Sequence, residues 1–444
     1  MRTYSFPQGG IFFDDPAVPP KNSSVIAFLP GISVIPLLQH TGSRAYPVVS
    51  VGDYVKEGML IGRGWGLGSA NIHATVPGRV IRMVSWKMAE GQTNDALVIR
   101  MEGSFERLGK REDVFPWKNL SPSEIQRLIL EAGIVEMEGE GRPVQDMLSS
   151  LRSVNEPVTL VVRCVFDDPW LAADQVLCRD RLKAVVEGAM IAARACRAKH
   201  IVFAVSHGEE DLGKQLLAEA ETRKTSVYMV LVGSRYPQRN RRELELALRM
   251  YEKKEGQHLG ALFILGPATL AAIHDAVILK KPILDRYVAV GGSAVKNPQV
   301  MKVRIGTRIG DIFAECGGFV DTPRRIATGS PFLGRAVVDL DEPVIKTSFA
   351  VFAILGRQAG VAASRNCIGC GECRTVCPIG LDPEDLYKRA NAAAVAPAFA
   401  GVLTAADSSV ERASECHGCG CCEMVCPSHL PLSAGVAASA GREN

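Results

Sequence analysis

Eight cysteines near the C-terminal end define the chemistry open to this chain. Cys367, Cys370, Cys373 and Cys377 precede Pro378, and Cys416, Cys419, Cys422 and Cys426 precede Pro427. Both runs read C-x2-C-x2-C-x3-C-P. Three thiolates spaced three residues apart on a tight loop wrap one face of a cubane cluster, while the fourth, displaced by one more residue and followed by proline, points away. Gly369, Gly371, Gly418 and Gly420 lie between the ligand positions, where the backbone approaches the cluster and takes up dihedrals that side chains disfavour. The runs are ligand sets for two [4Fe-4S] clusters, so the chain is built to carry electrons. Four thiolates also suit zinc, but zinc knuckles seldom add the third C-x2 step and C-x3-C-P, and here the whole pattern occurs twice. Cys421 is left over and reads as a bystander in a crowded loop.

In two-cluster ferredoxins the fourth cysteine of each run serves the other cluster. This assigns Cys367, Cys370, Cys373 and Cys426 to one cluster, and Cys416, Cys419, Cys422 and Cys377 to the second.

The rest of the chain must position these loops. Its 444 residues suffice for about three domains. A net charge of +3 gives no argument for nucleic acid or for a polybasic membrane patch. Cys164, Cys178, Cys196 and Cys316 are scattered, without a disulfide framework, as expected of buried thiols in a reducing compartment. Residues 1–10 show no secretory signal pattern. The most apolar window, residues 259–279, is broken by Gly266-Pro267 and carries His274 and Asp275, so it reads as strand, turn and helix rather than a membrane span. Any membrane contact is then expected through a partner.

Residues 1–33 read as an extended, proline-punctuated segment and residues 34–105 as a small barrel-sandwich module. Gly52 to Gly58 and His73 to Val80 resemble the half-motifs of biotinyl/lipoyl-like domains. No lysine occurs between Lys56 and Lys87, which points to a structural role rather than a lipoylated arm. Gly62, Gly64, Gly66 and Gly68 read as hairpin turns rather than a phosphate loop. Ser121-Pro122-Ser123-Glu124 starts a helix with a capping box, and Gly133 ends it. Across 120–280, strands at 158–165, 200–205 and 226–232 alternate with helices at 179–197 and 209–223, which predicts a Rossmann-like α/β body with a parallel sheet. Residues 281–350 read as a β-grasp-like module. Residues 360–444 form the α-helical, two-cluster ferredoxin-like domain, with helix-prone 383–406 between its halves. The fold class is multidomain α/β.

With Gly9-Gly10-Ile11 and Leu38-Gln39-His40-Thr41-Gly42, this order of modules resembles the RnfC family, a component of Rnf/Rsx-type ion-translocating electron transport complexes, over essentially the whole chain. The resemblance implies an α/β body like the NADH-oxidising, FMN-binding subunit of respiratory complex I. It further implies electron flow through the clusters to membrane-embedded partners, with the chain peripheral on the cytoplasmic side of the bacterial inner membrane. Ferredoxin, flavodoxin or NADH is the implied donor or acceptor.

Three segments depart from that family. The flavin loop G-I-V-G-x-G-G-A-G-F-P-T becomes residues 133–144, with Glu136, Glu138 and Glu140 where backbone amides should close on an anionic group. N-G-x-E-C-E-P becomes Arg163 to Pro169, and Y-P-x-G-G-E-K becomes Tyr236 to Arg242. Gly139, Gly141 and Asp168 are what remains of the cofactor-binding pattern. The expectation is therefore an electron-relay subunit whose NADH/FMN site is degenerate, with Arg239, Arg241 and Arg242 on a solvated helix start. The alternatives are an FMN-containing, NADH-oxidising subunit and a non-redox scaffold.

Overall fold

The computed structural model describes residues 2–87, 93–105, 115–139, 141–223, 227–330, 333–356, 364–395 and 412–440. The N-terminal module is built from two small sheets. One runs in the order Ile32–Pro36, Thr93–Met101, Gly78–Lys87, Tyr54–Val55, and the other Tyr46–Pro47, Leu60–Arg63, Ile72–His73. Alternation along these strands turns Ile35, Leu37, Val55, Ile61, Ile72, Val80, Leu97 and Ile99 into one apolar core. Of the glycine string, Gly62 lies within strand Leu60–Arg63, against the turn expectation, because it pairs with Pro47 and Ile72, while Gly66 and Gly68 lie in the following turn at positive φ.

The central body is a five-stranded, wholly parallel sheet. Its order is Thr3–Tyr4, Val227–Val232, His200–Ser206, Val158–Cys164, Ala261–Leu265. Strand Val158–Cys164 is buried at every residue, as a parallel strand covered on both faces must be. The expected helix over 179–197 is two helices, Ala172–Asp180 and Leu182–Ala195, separated at Arg181. Arg181 leaves helical geometry and pairs its guanidinium with both oxygens of Asp275, at 2.6 and 2.9 Å. The Pro122–Glu131 helix has the expected Ser121–Glu124 capping box.

A fourth, mixed sheet runs Arg335–Ala336, Arg325–Thr328, Ala350–Ile354, Asp285–Gly291, Gln299–Arg304, Ser24–Ile26. The N-terminal segment is thus more than an extended lead-in, because it places one edge strand in this sheet and another in the body. Lys346 ties three parts together. Its ammonium is buried and donates to the carbonyls of Asn71 and Gly133, each at 2.8 Å.

The C-terminal part is helical: Glu372–Thr375, Pro383–Val395, Cys421–Met424 and Leu432–Ser439. Gly435 lets the last helix lie against Tyr387, since a Cβ there would sit 2.7 Å from the ring. Of the helix-prone stretch 383–406, residues 396–406 lie outside the described residues.

Candidate redox site and the closed crevice

The two cysteine loops have the same backbone. Gly369 and Gly418 share φ of 68°, and Gly371 and Gly420 share φ of 77°. In each loop the amide two residues after the first cysteine points at its sulfur, Gly369 N to Cys367 Sγ and Gly418 N to Cys416 Sγ, both at 3.4 Å. Each loop then enters a one-turn helix carrying the third cysteine. Leu381 N also donates to Cys377 Sγ at 3.2 Å. Such amide-to-sulfur bonds stabilise thiolate, the form in which cysteine binds a metal.

The fourth cysteines cross over. Cys377 of the first run lines one small cavity with Cys416, Cys419 and Cys422 of the second. Cys426 of the second run packs with Cys367 and Cys373 around Leu430 and Leu432, where Cys422 also reaches. Cys370 is the one exposed cysteine among the described residues. Eight thiols on two such loops fit a pair of cubane clusters in donor type and number.

The loops differ in their surroundings. The second meets the body, where Tyr236 Oη donates to the Cys419 carbonyl at 2.7 Å, Arg242 pairs with Glu415 at 3.0 Å and His417 lies 3.6 Å from the fully buried Glu243. The first faces outward, and Ile368 is 71% exposed. A strap from the N-terminus crosses between body and loops. Ile11 and Tyr236 exchange backbone hydrogen bonds at 2.9 Å, and Gly10 N donates to Val376 O at 2.8 Å. A Cβ on Gly9 would sit 2.5 Å from the Cys377 carbonyl, so glycine is required for this approach.

The second candidate region lies at the carboxyl ends of Val158–Cys164 and Ala261–Leu265. The parallel sheet reverses its strand order here, and such folds bind ligands in the crevice that results. In this chain the crevice holds protein side chains. The Glu138 carboxylate takes the start of helix Pro267–Ile278, accepting from the amides of Ala268 and Thr269, the latter at 3.1 Å, and from Thr269 Oγ1 at 2.5 Å. An anion is stabilised there by the free amides and the helix dipole. Burial pushes this carboxyl above its ordinary range, as does nearby Asp174, while Arg286 and Arg163 oppose the shift.

Three guanidiniums close around it. Arg163 reaches Glu136 Oε1 at 3.1 Å and the Glu138 carbonyl at 3.3 Å. Arg239 donates to the same carbonyl at 2.7 Å, and its amide donates to Asp167 at 2.8 Å. Arg286 pairs with Asp174 at 2.9 Å and donates to the Met137 carbonyl at 3.1 Å. Burial pushes the Asp167 carboxyl up to about 7. Positions from all three segments that depart from the flavin-site pattern therefore meet: Glu136 and Glu138, Arg163, and Arg239.

Arg239 is accordingly not on a solvated helix start. Its side chain is 17% exposed and tied into the crevice, whereas Arg241 pairs outside with Glu245 and Arg242 reaches the cluster domain. Gly139 lies under the Glu136 carboxylate, which a Cβ there would meet at 2.5 Å, and Gly141 has φ of 77°. Asp168 is buried and caps the turn Pro169–Leu171 through Trp170 N at 2.9 Å. Glu140 lies outside the described residues. Thr269, Asp174 and Arg286 carried no sequence signal, being ordinary residues in a helix start, a helix and a strand.

Comparison with known proteins places both regions. The RnfC barrel sandwich hybrid domain matches residues 8–104, the Nuo51 FMN-binding domain 129–273, the SLBB domain 287–336 and the 4Fe-4S dicluster domain 366–431. An NAD+-reducing [NiFe]-hydrogenase in its H2-reduced state shares the fold, with a TM-score of 0.52 at 17% identity, over 72% of this chain and 60% of that one. The RnfC-type component of the ion-translocating oxidoreductase complex of Rhodobacter capsulatus is 30% identical over 82% of this chain and 70% of its own length. Its counterpart in the proton-translocating ferredoxin:NAD(+) oxidoreductase complex of Clostridium ljungdahlii is 31% identical over 86% of both. The counterpart in the Na(+)-translocating complex of Acetobacterium woodii is 28% identical over 80% of both. With its modules, its cysteine runs and its relatives in agreement, the chain belongs to the RnfC family of ion-translocating oxidoreductase complexes.

Proposed function

We propose that this chain is an electron-transfer subunit of an Rnf-type complex that relays electrons through two [4Fe-4S] clusters, and that its flavin-like crevice is closed by its own side chains. The paired cysteine loops, with matching backbones and crossed fourth ligands, carry the first part. When bound, each cluster takes up and releases one electron. Cys367, Cys370, Cys373 and Cys426 hold the outward cluster, and Cys416, Cys419, Cys422 and Cys377 the one against the body. Tyr236 and Arg242 fix the second loop on the body, and the Gly9–Gly10 strap holds the end of the first run at Val376 and Cys377. Exposed Ile368 and Cys370, flanked by exposed Arg365 and Glu372, offer a surface where a protein such as ferredoxin or flavodoxin can dock. The relatives' names associate ferredoxin and NAD+ with their complexes.

Within this reading, residues 120–280 are a Rossmann-like body, 281–350 a β-grasp module and 360–444 a ferredoxin-like domain. Among the described residues no helix is long and apolar enough to cross a membrane. Membrane contact then runs through the other subunits of the complex, with the chain peripheral on the cytoplasmic side of the bacterial inner membrane.

The Glu138 carboxylate at the helix start carries the second part. It occupies with a covalently attached anion the place where a helix N-terminus would take a phosphate, and Arg163, Arg239 and Arg286 each bond a protein acceptor, leaving Arg163 Nε and Arg286 Nη1 buried without one among the described residues. The residual Gly139, Gly141 and Asp168 serve the local backbone rather than a flavin. A second reading, an FMN-containing subunit that oxidises NADH, is favoured by the match to the FMN-binding domain. Anaerobic iron, sulfide and flavin stoichiometry, with NADH-to-ferricyanide turnover, separates the two. The expected result is about eight irons per chain, no stoichiometric flavin and no turnover. One FMN per chain with turnover would establish the second reading.

A further inference from the structure

We infer that Ser433 is a positioning residue whose hydroxyl donates to the ligand sulfur of Cys422 and so raises the reduction potential of the cluster against the body. The inference rests on the cluster reading above. Each cysteine run is followed by a helix, Pro383–Val395 after the first and Leu432–Ser439 after the second, and each helix packs against the one-turn helix of its own run. Glu384 and Ser433 are equivalent: each lies seven residues after the last cysteine of its run and is the second residue of that helix. The two positions carry different chemistry. Ser433 lines the cavity shared by Cys377, Cys416, Cys419 and Cys422, and its Oγ lies 3.9 Å from Cys422 Sγ. Its amide donates to Glu423 Oε1 at 2.8 Å, which fixes the backbone from which the hydroxyl reaches.

Between a free thiol and a hydroxyl, either atom can donate. A cysteine that binds iron is a thiolate without a proton, so in the loaded protein the donor is the hydroxyl. The separation is long for a bond to oxygen but within reach of one to the larger sulfur atom, and low local polarity strengthens it. Negative charge on the ligand sulfurs grows as a cluster gains its electron. A donor on one of them therefore stabilises the reduced form more than the oxidised form, and the potential rises. The outward half has a carboxylate at the equivalent place. Glu384 is buried, pairs with Lys388 at 2.6 Å and with Arg374 at 3.6 Å, and when ionised can only accept. Two halves that match in their cysteines and loop glycines thus differ at the residue that meets the sulfur.

The test is an anaerobic, EPR-monitored redox titration of the full chain, comparing wild type with Ser433→Ala, Ser433→Val and Ser433→Thr. The wild-type iron count first decides the cluster reading independently of Ser433: about eight irons sustain it, and a chain without cluster iron overturns both it and the inference. With the clusters present, the donorless Ala and Val variants should keep wild-type iron and move one of the two reduced-cluster signals to lower potential. At a fixed poise the reduced fraction of that cluster should fall roughly two- to tenfold, the range of one hydrogen bond, while the other signal stays in place. The Thr variant, which keeps a hydroxyl, should stay nearer wild type. Two donorless variants keep the test decisive if one of them fails to fold. Proton ENDOR in H2O and D2O gives a second readout, because an exchangeable coupling present in wild type should be lost in Ser433→Ala. Unchanged potentials in the donorless variants, an equal shift of both signals, or a shift in the Thr variant as large as in Ala would overturn the inference.

Discussion

The cysteine loops and the glycine-derived loop at 133–144 started from comparable demands, since both must bring backbone amides close to a bound group. They have met opposite outcomes. In the cysteine loops every glycine that the close approach needs is in place, at matching dihedrals in both copies. In the other loop, three glycine or small positions of the family pattern carry glutamates, and those within the described residues have found partners: Glu136 on Arg163, and Glu138 on Ala268 and Thr269. Charges of opposite sign from distant segments thus pair with one another around this loop, while among the described residues Arg163 Nε, Asp167 Oδ1 and Arg286 Nη1 stay buried without a hydrogen-bond partner.

The largest test of this contrast is at the sulfurs. Cys373→Ala should cost about half of the roughly eight irons expected for two cubanes. Cys377→Ala and Cys419→Ala should perturb the same EPR signal although they belong to different runs. Separate signals for that pair would break the crossed assignment.

The next test is in the crevice. Arg163→Met leaves the part-buried Glu136 without its partner, and such a loss costs up to about 3–5 kcal/mol when the charge is fully buried, read as a shift in urea midpoint. Adding Glu136→Gln should recover much of it. A single variant as stable as wild type would mean that the network contributes nothing.

A third region calibrates the other two. His40 and His73 sit buried near Lys346, and burial first, then that ammonium, push them down to about 4 and about 3. Because they are kept neutral in the fold, the unfolded chain binds more protons below about pH 6.5. Stability is therefore full above that pH and falls as pH drops toward the folded values, by up to about 1.4 kcal/mol per pH unit for each group. His73→Gln should flatten this acid limb, and an unchanged limb would remove His73 from the account.

The smallest expected effect is none. FMN added to the wild-type chain should leave Tm unchanged, whereas a ligand at about 100 times its Kd would stabilise by about 2.7 kcal/mol. A clear rise would reopen the crevice as a flavin site.

What could be read in the sequence follows from how local each feature is. Cluster ligands repeat every three residues within a loop, so Cys367 to Cys377 announce their chemistry without the fold. The capping box at Ser121 and Glu124 is local in the same way. The glutamates that stand in place of loop glycines were visible, but their partners were not, because Glu138 finds Thr269 and Arg163 finds Glu136 only once the sheet brings them together. Arg239 misled for the same reason: beside Arg241 and Arg242 it looks like a solvated run, yet Asp167, Asp174 and the Glu138 carbonyl draw it inward. Arg181 interrupts a helix whose periodicity runs straight through, since its partner Asp275 is far along the chain. The short strand Thr3–Tyr4 has no pattern of its own and exists because Val227–Val232 leaves an edge to pair with.

The Gly9–Gly10 strap bears on rate rather than affinity. It joins the first residues of the chain to Tyr236 on one side and to Val376 beside the cysteine loops on the other. The spacing between body and redox centres is therefore held from a third point, in addition to the chain's own continuity. Electron tunnelling falls steeply with distance, so a strap that fixes separation acts as a governor on throughput. A bulky residue at Gly9 would meet the Cys377 backbone and push strap and loop apart, and the current would slow.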